Sequence, residues 1–229
     1  MLAEMAQILL VIFLVVAVPV LSFRTARPEL LRQIPRAALY LSAVISQWAL
    51  AATGLAVVVA SSGGLAAVGF RPLQPAAFAA WGTLLAAAIL AGLGLVIFLE
   101  NRGWWPEEPE IVHRLMPQTR REEFWAVLLV APTAALCEEF LYRGFLLAAL
   151  TDWFHSTLWG LAAASLAFGL AHAYQGAAGM LRAALLGALL AVPVLRTGSL
   201  YPAMLAHFLI DSVALIWLGP RFLKRPTLS

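Results

Sequence analysis

The chain has 229 residues, of which 62% are hydrophobic and only 12% charged, and its mean hydropathy is +0.88. Soluble domains carry about a quarter charged residues, so this composition leaves too little polar surface to cover an apolar core and excludes a water-soluble globular protein. The formal charge of +3 and pI near 9.5 come from Arg residues in loops, with no basic face carrying interleaved aromatics, so the expected surroundings are a lipid bilayer and not nucleic acid.

A spanning helix needs about 20 mainly apolar residues. The expected fold is therefore all-α: a polytopic transmembrane helical bundle of about seven spans, within six to eight, forming a single membrane domain over 1–229. The first candidate span, 5–23, lacks a basic leader and a small-residue cleavage site and is too long for a signal-peptide core, so it reads as a true span. The loop after it carries Arg24, Arg27, Arg32 and Arg36. Span 37–60 ends at Ser61, Ser62, Gly63 and Gly64, and the loop before span 76–99 holds Arg71 as its one basic residue.

The third loop has Trp104 and Trp105 followed by a mixed-charge stretch, Glu107 to Glu123, with Ile111, Val112, Leu115 and Met116 interspersed. That pattern predicts an interfacial helix with the tryptophans at headgroup level. Thr119 with Glu122 three residues on forms a capping-box signature, so the fourth span, 124–150, should begin its helix near Arg120. Spans 157–174, 179–195 and 200–218 complete the set, and the tail carries Arg221, Lys224 and Arg225. Basic residues concentrate in loops one and three and in the tail, which predicts an N-terminus outside and a C-terminus in the cytoplasm.

Six ionisable residues fall inside the later spans: Glu138, Glu139 and Arg143; His172; His207 and Asp211. Each costs about 2.5 to 3.5 kcal/mol in hydrocarbon, so lipid exposure of the set would cost about 10 kcal/mol or more. They must face one another in a protein-lined, partly wet cavity. Helical spacing puts Glu139 and Arg143 on one face as an i,i+4 ion pair and His207 and Asp211 on another, while Glu138 is rotated about 100° from Glu139. Taken singly, each has a bland reading: a stabilising pair, a packed histidine, an intrahelical hydrogen bond. Cys137 reads as a small packing residue, Arg182 as a snorkelling helix-end residue, and His113 and His155 as interfacial. It is the coincidence of two carboxylates with two imidazoles inside a membrane that points to chemistry. Pro132 should loosen the helix just before the acid pair.

The runs Glu138-Glu139-Phe140-Leu141-Tyr142-Arg143, Phe168-Gly169-Leu170-Ala171-His172 and His207-Phe208-Leu209-Ile210-Asp211 read as EExxxR, FxxxH and HxxxD. In this order they resemble the CAAX protease and bacteriocin-processing family of intramembrane peptidases, which includes type 2 CAAX prenyl endopeptidase. The likeness covers 119–218, the implied catalytic core, and leaves 1–99 as N-terminal accessory spans. It implies an intramembrane endopeptidase acting on a peptide or membrane-tethered protein; the Ala, Leu and Arg richness with a single Lys points to a bacterial inner membrane, and so to peptide maturation or bacteriocin self-immunity with CAAX-type processing as a further option. In that scheme Glu138 is the general base for water with His172 on the same water. Glu139 and Arg143 fix the helix, and His207 with Asp211 stabilises the oxyanion. The third motif most often ends in Asn; an ionised Asp211 can only accept, which makes it an orienter of His207 instead.

The family's metalloprotease label would make Glu138, His172 and His207 a zinc set with an open position for water. The lack of an HExxH helix tilts the balance toward a metal-free mechanism. The alternative function is a non-catalytic membrane binding or immunity protein on the same scaffold; a transporter is disfavoured because no inverted repeat is evident. His172 lies late in its span while Glu138 lies near the middle of its own, so the fifth span is expected either to shift toward 160–180 or to tilt.

Overall fold

The computed structural model describes residues 2–25, 33–61 and 63–223, with side chains as far as Trp217. The loop residues Arg27, Arg32 and Ser62, the tail residues Lys224 and Arg225, and the side chain of Arg221 lie outside the described residues. Seven long helices account for most of the chain, and no strand occurs among the described residues. They are α1 (Leu2–Thr25), α2 (Arg36–Ala60), α3 (Pro75–Asn101), α4 (Arg120–Phe154), α5 (Thr157–Ala171), α6 (Gly176–Thr197) and α7 (Tyr201–Leu223). Five of these, α1 to α4 and the helical stretch containing α6, are long and apolar enough to cross a bilayer by themselves. Large apolar side chains such as Leu9, Leu84, Leu128, Trp159 and Leu181 remain exposed around the bundle, as lipid-facing surfaces require.

The fourth helix starts at Arg120 for the reason its sequence predicts. Thr119 Oγ1 accepts from the Glu122 backbone N–H, and the Glu122 carboxylate accepts from the Thr119 N–H in return. A short helix, Glu110–Leu115, lies within the stretch where the sequence predicts an interfacial helix. Arg36, at the start of α2, donates to the Arg114 carbonyl and to the Glu122 carboxylate, and Tyr40 donates to the Leu115 carbonyl. The start of α2 and the segment before α4 thus meet at one end of the bundle.

Three segments wind as π-helix, with backbone bonds reaching five residues back. Two of them, Phe13–Ala17 in α1 and Ala126–Val130 in α4, stand just before Pro19 and Pro132. A proline has no N–H to give the preceding turn, so the wider turn absorbs the missing bond without breaking the helix. The third, Glu139–Leu146, has no proline; all eight of its residues are buried. Here α4 is surrounded by protein on every side.

The expected shift of the fifth span to 160–180 does not occur. α5 ends at Ala171, His172 leaves helical geometry (φ −96°, ψ 22°), and a 3-10 turn Ala173–Gln175 leads to Gly176 at φ 72°. Only glycine adopts that φ readily, so the chain can restart as α6 at once. Fifteen residues of α-helix span about 22 Å, short of a hydrocarbon core of about 30 Å. His172 therefore sits at a helix end inside the bundle. Broken backbone at that level is tolerable only where protein or a wet cavity satisfies it. α5 and α6 then run back closely packed: a Cβ on Gly169 would come within 2.6 Å of the Met180 carbonyl oxygen.

Candidate active site

The two adjacent acids point to different neighbours, as a rotation of about 100° between successive helical residues demands. Glu139 is fully buried, at 0% exposure, and its Oε1 receives Arg143 Nη1 at 2.9 Å from one turn further along α4. Arg143 also donates from Nε to the Gly187 carbonyl of α6 and lies 3.9 Å above the Phe168 ring of α5. A guanidinium placed this way is held by charge, hydrogen bond and ring face together. Gly187 makes room for it: a Cβ there would meet Arg143 Nη2 at 3.3 Å.

His207, from α7, completes this network. Its Nδ1 is 2.7 Å from Glu139 Oε1 and its Nε2 is 3.5 Å from Asp211 Oδ2. An ionised carboxylate only accepts, so a ring flanked by two of them is arranged to carry a proton on both nitrogens. Two carboxylates and two cationic groups then balance in a buried site, which is the condition for keeping charges there at all. Glu139 Oε2 and Arg143 Nη2 are buried with no hydrogen-bond partner.

His172 is oriented by its own helix. Its Nδ1 is 2.8 Å from the Phe168 carbonyl, which can only accept, so Nδ1 carries the proton and Nε2 of the neutral ring is a bare acceptor. The ring packs between Phe168, at 4.5 Å between centroids, and Tyr174, at 5.8 Å. His172, His207 and Asp211 line one cavity of about 210 Å³ at the end of the bundle where Glu108, Val112, Gln175 and Arg182 also stand. Arg182 is thus no snorkelling end residue: it pairs with Glu108 and donates to Gln175 Oε1 at the rim of this cavity.

Glu138 stands apart. It is not among the residues that line this cavity, and its Oε1 accepts from Gln47 Nε2 of α2 at 2.8 Å. The six residues therefore divide into a bonded unit of Glu139, Arg143, His207 and Asp211, with His172 sharing its cavity and Glu138 held from the other side.

The zinc set of Glu138, His172 and His207 does not fit this arrangement. Among the described residues no three of His, Cys, Asp and Glu come together as metal ligands. Both ring nitrogens of His207 already face carboxylates, and one Glu138 oxygen is taken by Gln47. No step of the chemistry below passes through a metal.

Gln47 is the residue the sequence reading passed over. A count of ionisable groups misses it, yet it is the one amide inside α2, and an amide in hydrocarbon also needs a partner. Tyr174 was likewise unmarked, since an aromatic at a span end reads as an interfacial anchor.

Residues 120–213 match the family model described as type II CAAX prenyl endopeptidase Rce1-like. No curated protein and no solved structure matches the chain. The matched segment begins at the first residue of α4 and ends two residues after Asp211, so it contains every residue of the bonded unit together with Glu138 and His172. Through that segment the chain is similar to the CAAX proteases, a family of proteases, and it is an integral membrane helical bundle.

Proposed function

We propose that the chain is a CAAX-type intramembrane endopeptidase that hydrolyses a peptide bond with water activated by Glu138 and His172. The observation that carries this reading is the shared cavity of His172, His207 and Asp211, in which one imidazole offers a bare acceptor and the other an N–H held by carboxylates. Water hydrogen-bonded to His172 Nε2 gives a proton to the Glu138 carboxylate, and its oxygen attacks the scissile carbonyl carbon. The oxyanion that forms takes the His207 Nε2–H, whose contact to Asp211 is long enough at 3.5 Å to be exchanged. Glu138 then passes its proton to the leaving nitrogen as the C–N bond breaks, giving a carboxylic acid and an amine. Glu139 and Arg143 hold His207 and α4 in place and touch no reacting atom.

The substrate is a peptide or membrane-tethered protein, in peptide maturation or bacteriocin self-immunity, and the host a bacterial inner membrane. Arginines in the loops at the end where the cavity lies support a cytoplasmic mouth, with the N-terminus outside and the C-terminus inside. One observation favours a second reading, a non-catalytic binding protein on the same scaffold: Glu138 is bonded to Gln47 and is not among the residues that line this cavity.

Cleavage of a panel of membrane-tethered peptides by the purified wild type, Glu138→Ala and His172→Ala separates the two. The endopeptidase reading expects cleavage by the wild type alone, with all three proteins folded. Equal product from wild type and variants sinks the catalytic assignment.

A further inference from the structure

The two glutamates of α4 differ in the kind of partner each has. Glu139 meets two cationic groups, Arg143 and His207, and is sealed from solvent. Glu138 is half-buried, and the hydrogen bond it receives comes from a neutral amide, Gln47 Nε2, at 2.8 Å. A charge matched by two cations is committed to structure. A neutral donor on one oxygen fixes the carboxylate's rotation without cancelling its charge, so the second oxygen stays available to take a proton. Gln47 is itself held in an unusual state, because its Oε1 is buried with no hydrogen-bond partner. A buried amide oxygen left unpaired costs about 1 to 3 kcal/mol, which a Gln serving only as helix filler would not retain in place of an apolar residue.

The location matters as much as the bond. Gln47 lies on α2, 91 residues before... Glu138 along the chain and outside the segment 120–213 that carries the family match. Next to it, Trp48 Nε1 donates to Thr133 Oγ1, again from α2 to α4, at 3.0 Å. Two adjacent residues of α2 thus bind α4 within the turn and a half that precedes Glu138, which sets the helix rotation as well as the side chain.

We infer that Gln47 is a positioning residue for the hydrolysis: its amide N–H pins Oε1 of Glu138 so that Oε2 is the oxygen that receives the proton from water. The N-terminal helices then complete the active site. This rests on the endopeptidase reading above, in which Glu138 is the base.

The test uses the full-length protein in detergent or liposomes and a peptide that the wild type cleaves. Gln47→Met keeps the side-chain length and removes the donor; the expected result is a kcat lower by about 10- to 100-fold with KM within about twofold, because the base is misplaced while the peptide still binds. Combined with Glu138→Gln, Gln47→Met should add no further loss, whereas a merely structural contribution would lower the residual rate again. If Gln47→Met does not fold, Gln47→Asn, whose amide falls a methylene short of Glu138, carries the same expectation. Wild-type kcat in a folded Gln47 variant overturns the inference while leaving the endopeptidase reading intact, provided Glu138→Gln is inactive. A Glu138→Gln enzyme that turns over normally overturns both. A rise in KM at unchanged kcat also overturns the inference, since it would place Gln47 in substrate binding.

Discussion

His207 on α7 donates from Nδ1 to Oε1 of Glu139 on α4 across 2.7 Å, joining residues 68 apart in the chain. The same oxygen accepts from Arg143, so one buried carboxylate ties together two helices and, through the Arg143 contact to Gly187, a third. The acid pair is therefore divided: Glu139 is held by two cationic groups, and Glu138 by the neutral amide of Gln47.

Glu139→Gln should destabilise strongly. It removes one charge from a buried network, leaving Arg143 without a counter-ion and His207 with Asp211 alone, a loss of about 3 to 5 kcal/mol. Thermal unfolding in detergent should show a large fall in Tm or no folded protein. Glu138→Gln, on a half-buried residue whose hydrogen-bond partner is neutral, should leave Tm close to wild type while abolishing cleavage.

His172→Gln should reduce kcat by about 10²- to 10⁴-fold, the usual range for removing a positioned proton-transfer group. The ring is packed against Phe168 and Tyr174 but is not sealed in the core, so the change in Tm should be small. A kinetic assay paired with a melting curve reads both; a variant that cleaves at the wild-type rate removes His172 from the mechanism.

Asp211→Asn should keep activity within about tenfold, because an amide oxygen can still accept from His207 and its N–H₂ adds a donor near the oxyanion. Asp211→Ala offers neither and should lose substantially more. The ranking of the two variants in one cleavage assay is the measurement.

Gly187→Val should destabilise by about 1 to 3 kcal/mol through overpacking. The Cβ position is already 3.3 Å from Arg143 Nη2 and 3.4 Å from both Phe168 Cδ1 and Ser165 Cα, leaving no space for further methyls. Displacement of Arg143 should also loosen His207 through Glu139, so cleavage should fall along with Tm.

Chelation with 1,10-phenanthroline should leave turnover unchanged. His207 has carboxylates at both ring nitrogens, and among the described residues no three of His, Cys, Asp and Glu gather as metal ligands. Turnover lost to chelator and regained with added zinc would require the site to rearrange from the geometry described above.

What the sequence alone determined is local. The capping box at Thr119 and Glu122, the Glu139–Arg143 pair and the His207–Asp211 approach follow from spacings of three and four residues, which helix geometry converts directly into neighbours. The helical membrane bundle followed as well, because apolar length is a property of a segment by itself. Only the tertiary structure decided which helix faces which. It gave Glu139 to His207 and Glu138 to Gln47, ended α5 at Ala171 so that His172 faces a cavity, and turned Arg182 toward Glu108. In a soluble helix the apolar face would have announced the inward side. In a bilayer the lipid-facing and core-facing surfaces are both apolar, so the rotation of each helix is set by packing and by a few buried polar contacts between helices far apart in sequence.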